Sequence, residues 1–339
     1  MSEQSPASAT DPSDTSGRGR QSRPTHSLRR RQTGPSTPGG GVPVAPRGRR
    51  RDHLTVAGVG VVLAPALLVL SGVAASMSVA GRLPLAIFHA VLVVVVAAAA
   101  QALFARRSSL GGLVAGLVAL LAQGVILLAA HGGHGAPFEW ARLLIPTGLV
   151  LITSTLLTGG SWGMRVARRA GRTEARTAAR LGKSDRELGS TPTPPPSRRY
   201  DHVASLVTVA VLVILALVLL QDGYAELVSP DGSAAAGATP AVVAWVLLLL
   251  AAASSGRSTL GVRTVGPVLV IAGLPAFLHG AIPGVPLAHL VADLLSQDPA
   301  GISLVATGLL LSALGWGAHL ARRQGRTSEQ RLLHEAPAG

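Results

Sequence analysis

The chain has 339 residues, of which 48% are hydrophobic and only 14% charged, with a formal net charge of +14. Two or three soluble domains of that length would carry far more charge on their surfaces. No cysteine occurs, which excludes disulfides, thiolate metal sites and cysteine nucleophiles. Lysine occurs once, at Lys183, and asparagine not at all. This loss of residues with adenine-rich codons points to a GC-rich bacterial genome of the actinobacterial kind.

Residues 1–51 are rich in Ser, Pro, Gly, Thr and Arg, with basic clusters at Arg29 to Arg31 and at Arg47, Arg49, Arg50 and Arg51. No apolar run in this stretch can offset the entropy of ordering the backbone, so it reads as a disordered tail. Apolar runs follow. A hydrocarbon core about 30 Å thick takes about 20 helical residues to cross. The hydropathy predicts transmembrane helices at 54–76, 84–105, 109–130, 143–163, 203–221, 239–256, 264–281 and 302–320. The expected fold is therefore all-α, a polytopic bundle of about eight transmembrane helices.

With residues 1–51 inside, 28 of the 30 basic residues fall on the inner side and only Arg82 and Arg142 on the outer. Lys and Arg accumulate on cytoplasmic loops, so a multi-pass protein of the cell membrane with both termini cytoplasmic is expected. Glu139, Asp222, Glu226, Asp231, Asp293 and Asp298 all lie on the outer side of this arrangement. The one-sided positive charge favours membrane lipids as partners, with anionic lipid at the cytoplasmic face. Nucleic acid is not expected, because topology alone demands the basic excess. Ser78-Val79-Ala80 resembles a signal-peptidase site, but the apolar run before it is long for a signal peptide and its leader is extended.

The chain also repeats itself. Arg51-Asp52-His53 precedes the first apolar run and Tyr200-Asp201-His202 the fifth. The second run of each half leads into Arg107-Ser108-Ser109-Leu110-Gly111 and Arg257-Ser258-Thr259-Leu260-Gly261. The third ends in His131-Gly132 and His279-Gly280, and the fourth in Trp162-Gly163 and Trp316-Gly317. One such match is within reach of chance; four in one order, at offsets of 149, 150, 148 and 154, indicate duplication. Each unit has an even number of helices, so both enter the membrane from the same side and the repeats are parallel. The expected domains are a tail at 1–51, a first four-helix repeat at 52–173, a basic and Pro-rich linker at 174–200, a second repeat at 201–327 and a cytoplasmic tail at 328–339. The first part of the linker can extend the fourth helix, and Thr191 to Pro196 read as a spacer. Gly112 with Gly116, and Gly159 with Gly163, have the spacing that lets helices approach closely.

The eight apolar runs contain no Asp, Glu, Lys or Arg, the groups that ion-coupled transporters usually place at mid-membrane. Away from the ends of the runs, His89, Gln101 and Gln123 are the polar exceptions besides Ser and Thr. His89 reads as a neutral imidazole hydrogen-bonded between helices, with a proton relay as the rival. His131, His134 and His279 cluster at outer helix ends, with Glu139 and Asp293 not far along. Imidazoles with a carboxylate can hold zinc or copper, but this spacing matches no ligand signature, and histidine beside glycine also caps a helix. No metal or cofactor is expected. From Pro286, apolar positions recur at helical spacing with His289 and Asp293 opposite, predicting a short amphipathic helix on the outer surface. Pro146 interrupts the fourth helix, and Pro267, Gly273 and Pro275 the seventh. Phosphate loops, zinc-protease pairs, nucleophile elbows and dinucleotide fingerprints are all missing.

These features favour a non-enzymatic scaffold or accessory subunit of the bacterial cell envelope, with a membrane or cytoplasmic protein as partner. The alternative is a small-solute or lipid transporter with its pathway between the two repeats. A lipid-acting enzyme comes third, since it requires the outer histidines and carboxylates to converge.

Overall fold

The computed structural model describes residues 48–131, 138–189, 197, 199–229, 232–282, 284–294, 298 and 300–335. Among these the regular structure is entirely helical. Residues 1–47 of the tail, His134, the Thr191–Pro196 run and residues 336–339 lie outside the described residues.

Among the described residues seven helices are long and apolar enough to cross a membrane: α1 (Gly48–Val79), α2 (Leu83–Arg106), α3 (Leu110–His131), α6 (Arg199–Val228), α7 (Ala234–Ser254), α8 (Leu260–His279) and α10 (Ile302–Glu335). In hydrocarbon no water satisfies the backbone, so an apolar run of this length closes its own hydrogen bonds as a helix. The protein is a multi-pass membrane protein. α1 begins at Gly48, within the stretch read as tail, and α6 extends beyond the expected boundary at 221 to Val228.

The fourth predicted span is bent. A short helix α4 (Glu139–Leu144) and a 3-10 turn at Ile145–Thr147 meet α5 (Leu149–Leu188) at 66°, and only if this bent pair is taken as one span does the number of candidate spans among the described residues rise to eight. Pro146 lies in the turn, and Gly148 has φ +69°, a left-handed conformation that glycine adopts without steric cost. Thr147 mends part of the break: its hydroxyl donates to the Leu144 carbonyl at 2.7 Å and accepts from the Leu149 N–H at 3.3 Å. By contrast α8 runs unbroken through Pro267, Gly273 and Pro275. A proline removes one intrahelical bond, and neighbouring helices tolerate the loss.

α5 and α10 form the centre. The α10 span is 72% buried whereas that of α2 is 22% buried, which separates a central helix from a peripheral one. The two central helices run in the same direction, because their contacts rise together from Gly160 against Leu314 to Gly171 against Arg322 and Gly325 against Arg168. At the last two positions a Cβ would overlap a backbone carbonyl of the facing helix. Around this pair, α3 and α7 pack on α5, while α8 and α2 pack on α10; α1 joins α2 to α3, and α6 joins α7 to α8.

Small residues make these approaches possible. Gly112 and Gly116 of α3 face Leu157, Ser161, Thr158 and Ser154 of α5, while Gly159 and Gly163 face Leu249 and Ala252 of α7 and Ser255 at its end. Both glycine pairs singled out by spacing are therefore helix contacts. Gly266 of α8 meets Ser312 and Gly308 of α10 in the same manner.

Both central helices continue well past their continuous apolar runs. There Glu174 bridges to Arg322 (3.4 Å) and Arg326 (2.6 Å), and Glu329, only 8% exposed, bridges to Arg176 at 2.6 Å. The first part of the expected linker is thus an extension of α5 paired with the end of α10.

Candidate functional site

The end of the bundle where α5 and α10 emerge gathers the repeated Asp-His and Arg-Ser motifs. His53 Nδ1 lies 3.1 Å from Ser108 Oγ, and His202 Nδ1 2.8 Å from Ser258 Oγ. Each serine also accepts the N–H two residues on, from Leu110 and Leu260, at 3.3 Å. Arg168 donates to the carbonyls of Phe104 and Ala105 at the end of α2, and Arg322 to those of Gly256 and Arg257 just after α7. An arginine placed there satisfies carbonyls that the helix leaves open and complements its dipole. Asp52 and Arg107 pair at 3.6 Å. These motif residues join helices to one another.

The opposite end holds the histidines. His279, the last residue of α8, and His289 of the short helix α9 (Ala288–Leu294) stand with ring centroids 5.0 Å apart in an edge-on arrangement. His279 Nδ1 is buried and has no hydrogen-bond partner among the described residues. The amphipathic helix expected after Pro286 is therefore present, starting at Ala288, and it carries His289 to His279. Asp293, one turn further along α9, is exposed. Among the described residues no three His, Cys, Asp or Glu side chains form a metal-binding group. His131 closes α3. His89 sits beside the lipid-facing Phe88, and its Nδ1 donates to the Leu85 carbonyl of its own helix at 2.7 Å. The bond between helices expected for His89 is replaced by one within α2.

Two polar features at this end were not singled out by the sequence. Tyr224 of α6 is fully buried and its hydroxyl donates to Gln123 Oε1 of α3 at 2.9 Å. The same ring packs on Gly148 at the break of the fourth span. Among the described residues Gln123 Nε2 and Gln221 Oε1 are buried without hydrogen-bond partners. Asp298 is also fully buried, with its two carboxylate oxygens accepting from the Ile302 and Ser303 N–H groups at 3.0 and 2.6 Å. Burial raises its pKa above the ordinary carboxylate value, and the hydrogen bonds from Ser303 and Ile302 restrain the rise. An aspartate just before an apolar helix signals a cap of this kind. Nothing local signals that Tyr224 will find Gln123, 101 residues away.

A groove of about 160 Å³ opens on the side of the bundle, lined by Leu113 of α3, Leu249 of α7, and Thr158, Gly159, Ser161, Trp162 and Arg165 of α5. Trp162 is 60% exposed there. Arg165 Nε donates to Ser109 Oγ at 2.9 Å.

In comparisons with known proteins the chain matches no family model, no curated protein and no solved structure.

Proposed function

We propose that this protein is a non-enzymatic scaffold or accessory subunit of the bacterial cell membrane, built from two parallel four-helix repeats whose arginine-rich end faces the cytoplasm. The closed seam between α5 and α10 carries the reading. Gly160 receives Leu314, and Gly171 and Gly325 press on facing backbone, so a polar solute has no passage between these two helices. The repeat reading is supported by contacts that recur at the sequence offsets: His53 to Ser108 with His202 to Ser258, and Gly116 to Thr158 and Ser154 with Gly266 to Ser312 and Gly308. The orientation is supported by arginines collected where α5 and α10 leave the bundle. The paired extensions offer a rigid, charged platform to a protein partner. Crosslinking in intact cells followed by purification tests the proposal: a stable protein partner is the expected outcome, and recovery of the chain alone would overturn it.

A second reading, a small-solute or lipid transporter, is favoured by one place. The bend before α5 puts Gly148 beside Tyr224, whose partner Gln123 has a buried Nε2 with no hydrogen-bond partner among the described residues. An unsatisfied buried group costs about 1–3 kcal/mol, a cost that a transported polar group would relieve. Reconstituted vesicles showing no substrate-dependent flux would remove this reading.

A further inference from the structure

We infer that the groove on α5 is a binding site for an anionic phospholipid of the leaflet on the arginine-rich side. The inference rests on the membrane character of the chain and holds for either reading above.

Gly159, Trp162 and Arg165 follow one another at three-residue spacing and so share one face of α5. Leu113 and Leu249 form the walls. The other polar groups of the groove are already occupied: Thr158 Oγ1 donates to the Ser154 carbonyl at 2.8 Å, and Ser161 Oγ to the Ser109 carbonyl at 2.5 Å. Arg165 differs. Its Nε is held by Ser109, which orients the guanidinium, while its terminal nitrogens have no protein partner among the described residues.

The groove therefore offers one anchored cation at one end and satisfied or apolar surface along the rest. A soluble polar solute would find few donors. The volume of about 160 Å³ is also below the 300–1,000 Å³ of ordinary small-molecule sites. An amphiphile fits both facts, with its phosphate on Arg165 and a section of acyl chain between Leu113 and Leu249. The exposed Trp162 stands one turn from Arg165, as an aromatic at the headgroup level does. Charge selects the headgroup: an anionic phospholipid gains attraction to Arg165 and to the neighbouring arginines that a zwitterionic one does not.

The test uses the full chain purified in detergent, with bound lipid counted by native mass spectrometry during titration with phosphatidylglycerol or phosphatidylcholine. The wild type is expected to prefer phosphatidylglycerol, and Arg165→Gln to lose about fivefold of that preference, the worth of one basic residue near a lipid surface. Arg323→Gln removes the same charge from an exposed position of α10 at the same end and is expected to leave the preference unchanged. Equal losses in the two variants would overturn the site in favour of diffuse attraction. Equal binding of the two lipids overturns it as well. Displacement by soluble glycerol phosphate at comparable concentration would make this a phosphate site and refute the lipid. Should Arg165→Gln fail to fold, Leu113→Trp fills the groove while keeping the cation; undiminished phosphatidylglycerol binding in that variant refutes the proposal. Because lipid is counted here and protein partners in the crosslinking experiment, the two proposals fail separately.

Discussion

Replacing Gly171 by alanine is expected to destabilise the protein although alanine is the better helix former. On an exposed helix the change would gain about 1 kcal/mol from propensity. At Gly171, however, an added Cβ overlaps the Arg322 carbonyl oxygen and lies 3.0 Å from its carbon and 3.1 Å from the Arg326 nitrogen. These are backbone atoms, so relief requires α5 and α10 to part. Overpacking of this kind costs about 1–3 kcal/mol, and the fixed obstacle puts it near the upper end, for a net loss of about 2 kcal/mol after the propensity gain. Gly182, further along the same helix, has nothing within 4 Å, and its replacement by alanine should stabilise by about 1 kcal/mol. Gly325→Ala should match Gly171→Ala, since its Cβ would meet the Arg168 carbonyl. The double variant should cost less than the sum, because helices already parted for one methyl admit the second. Thermal unfolding of the detergent-purified chain, followed by circular dichroism, reads all four. A Gly171→Ala protein as stable as Gly182→Ala would refute the contact between α5 and α10.

Further outcomes are expected. Asp298→Asn should flatten the pH dependence of stability: the buried carboxyl has a raised pKa, so its contribution is full below the ordinary carboxylate range and falls as pH rises through the raised value. A wild-type melting temperature that does not fall relative to the variant across that window contradicts this. Tyr224→Phe strips Gln123 of its partner at 2.9 Å and should lower stability by about 1–3 kcal/mol; an unchanged melting point would show that the pair contributes nothing. The chain has no cysteine, so single cysteines at Ser197 and Ser233 report orientation cleanly. An impermeant thiol reagent on intact cells should label Ser233→Cys and spare Ser197→Cys, and the reverse pattern inverts the topology. Residues 1–192 and 193–339, expressed as separate chains in one cell, should co-purify, and independent membrane insertion without association would count against two interlocking repeats.

The features that a bilayer imposes were legible in the sequence. Long apolar runs and the placement of arginine follow from the cost of charge and open backbone in hydrocarbon, and each predicted run overlaps a helix or the bent pair, with ends that differ by up to two residues at 109, 256 and 281. Helix breaks were less legible: Pro146, Pro267 and Pro275 look alike in sequence, yet only Pro146 stands beside a residue, Gly148, that takes a left-handed backbone. Direction around a helix decided the histidines. Composition could not tell that His89 would turn toward its own Leu85 carbonyl, or that α9 would fold His289 onto His279. The repeated Asp-His and Arg-Ser motifs were visible as a pattern, but their role in joining helix ends depends on contacts between residues about 55 apart.

α2 packs against α10, a helix that begins roughly 200 residues later. At a synthesis rate of about 5–20 residues per second, the delay is on the order of 10–40 s. During that time the face of α2 that carries Gln101, only 1% exposed in the structure where it lies against Gly317, lacks the helix that covers it. The first helices therefore wait in the membrane as an unfinished assembly with that face uncovered. α10 is made after both α2 and α5, against which it packs, and truncation before Ile302 would leave these two without their central neighbour.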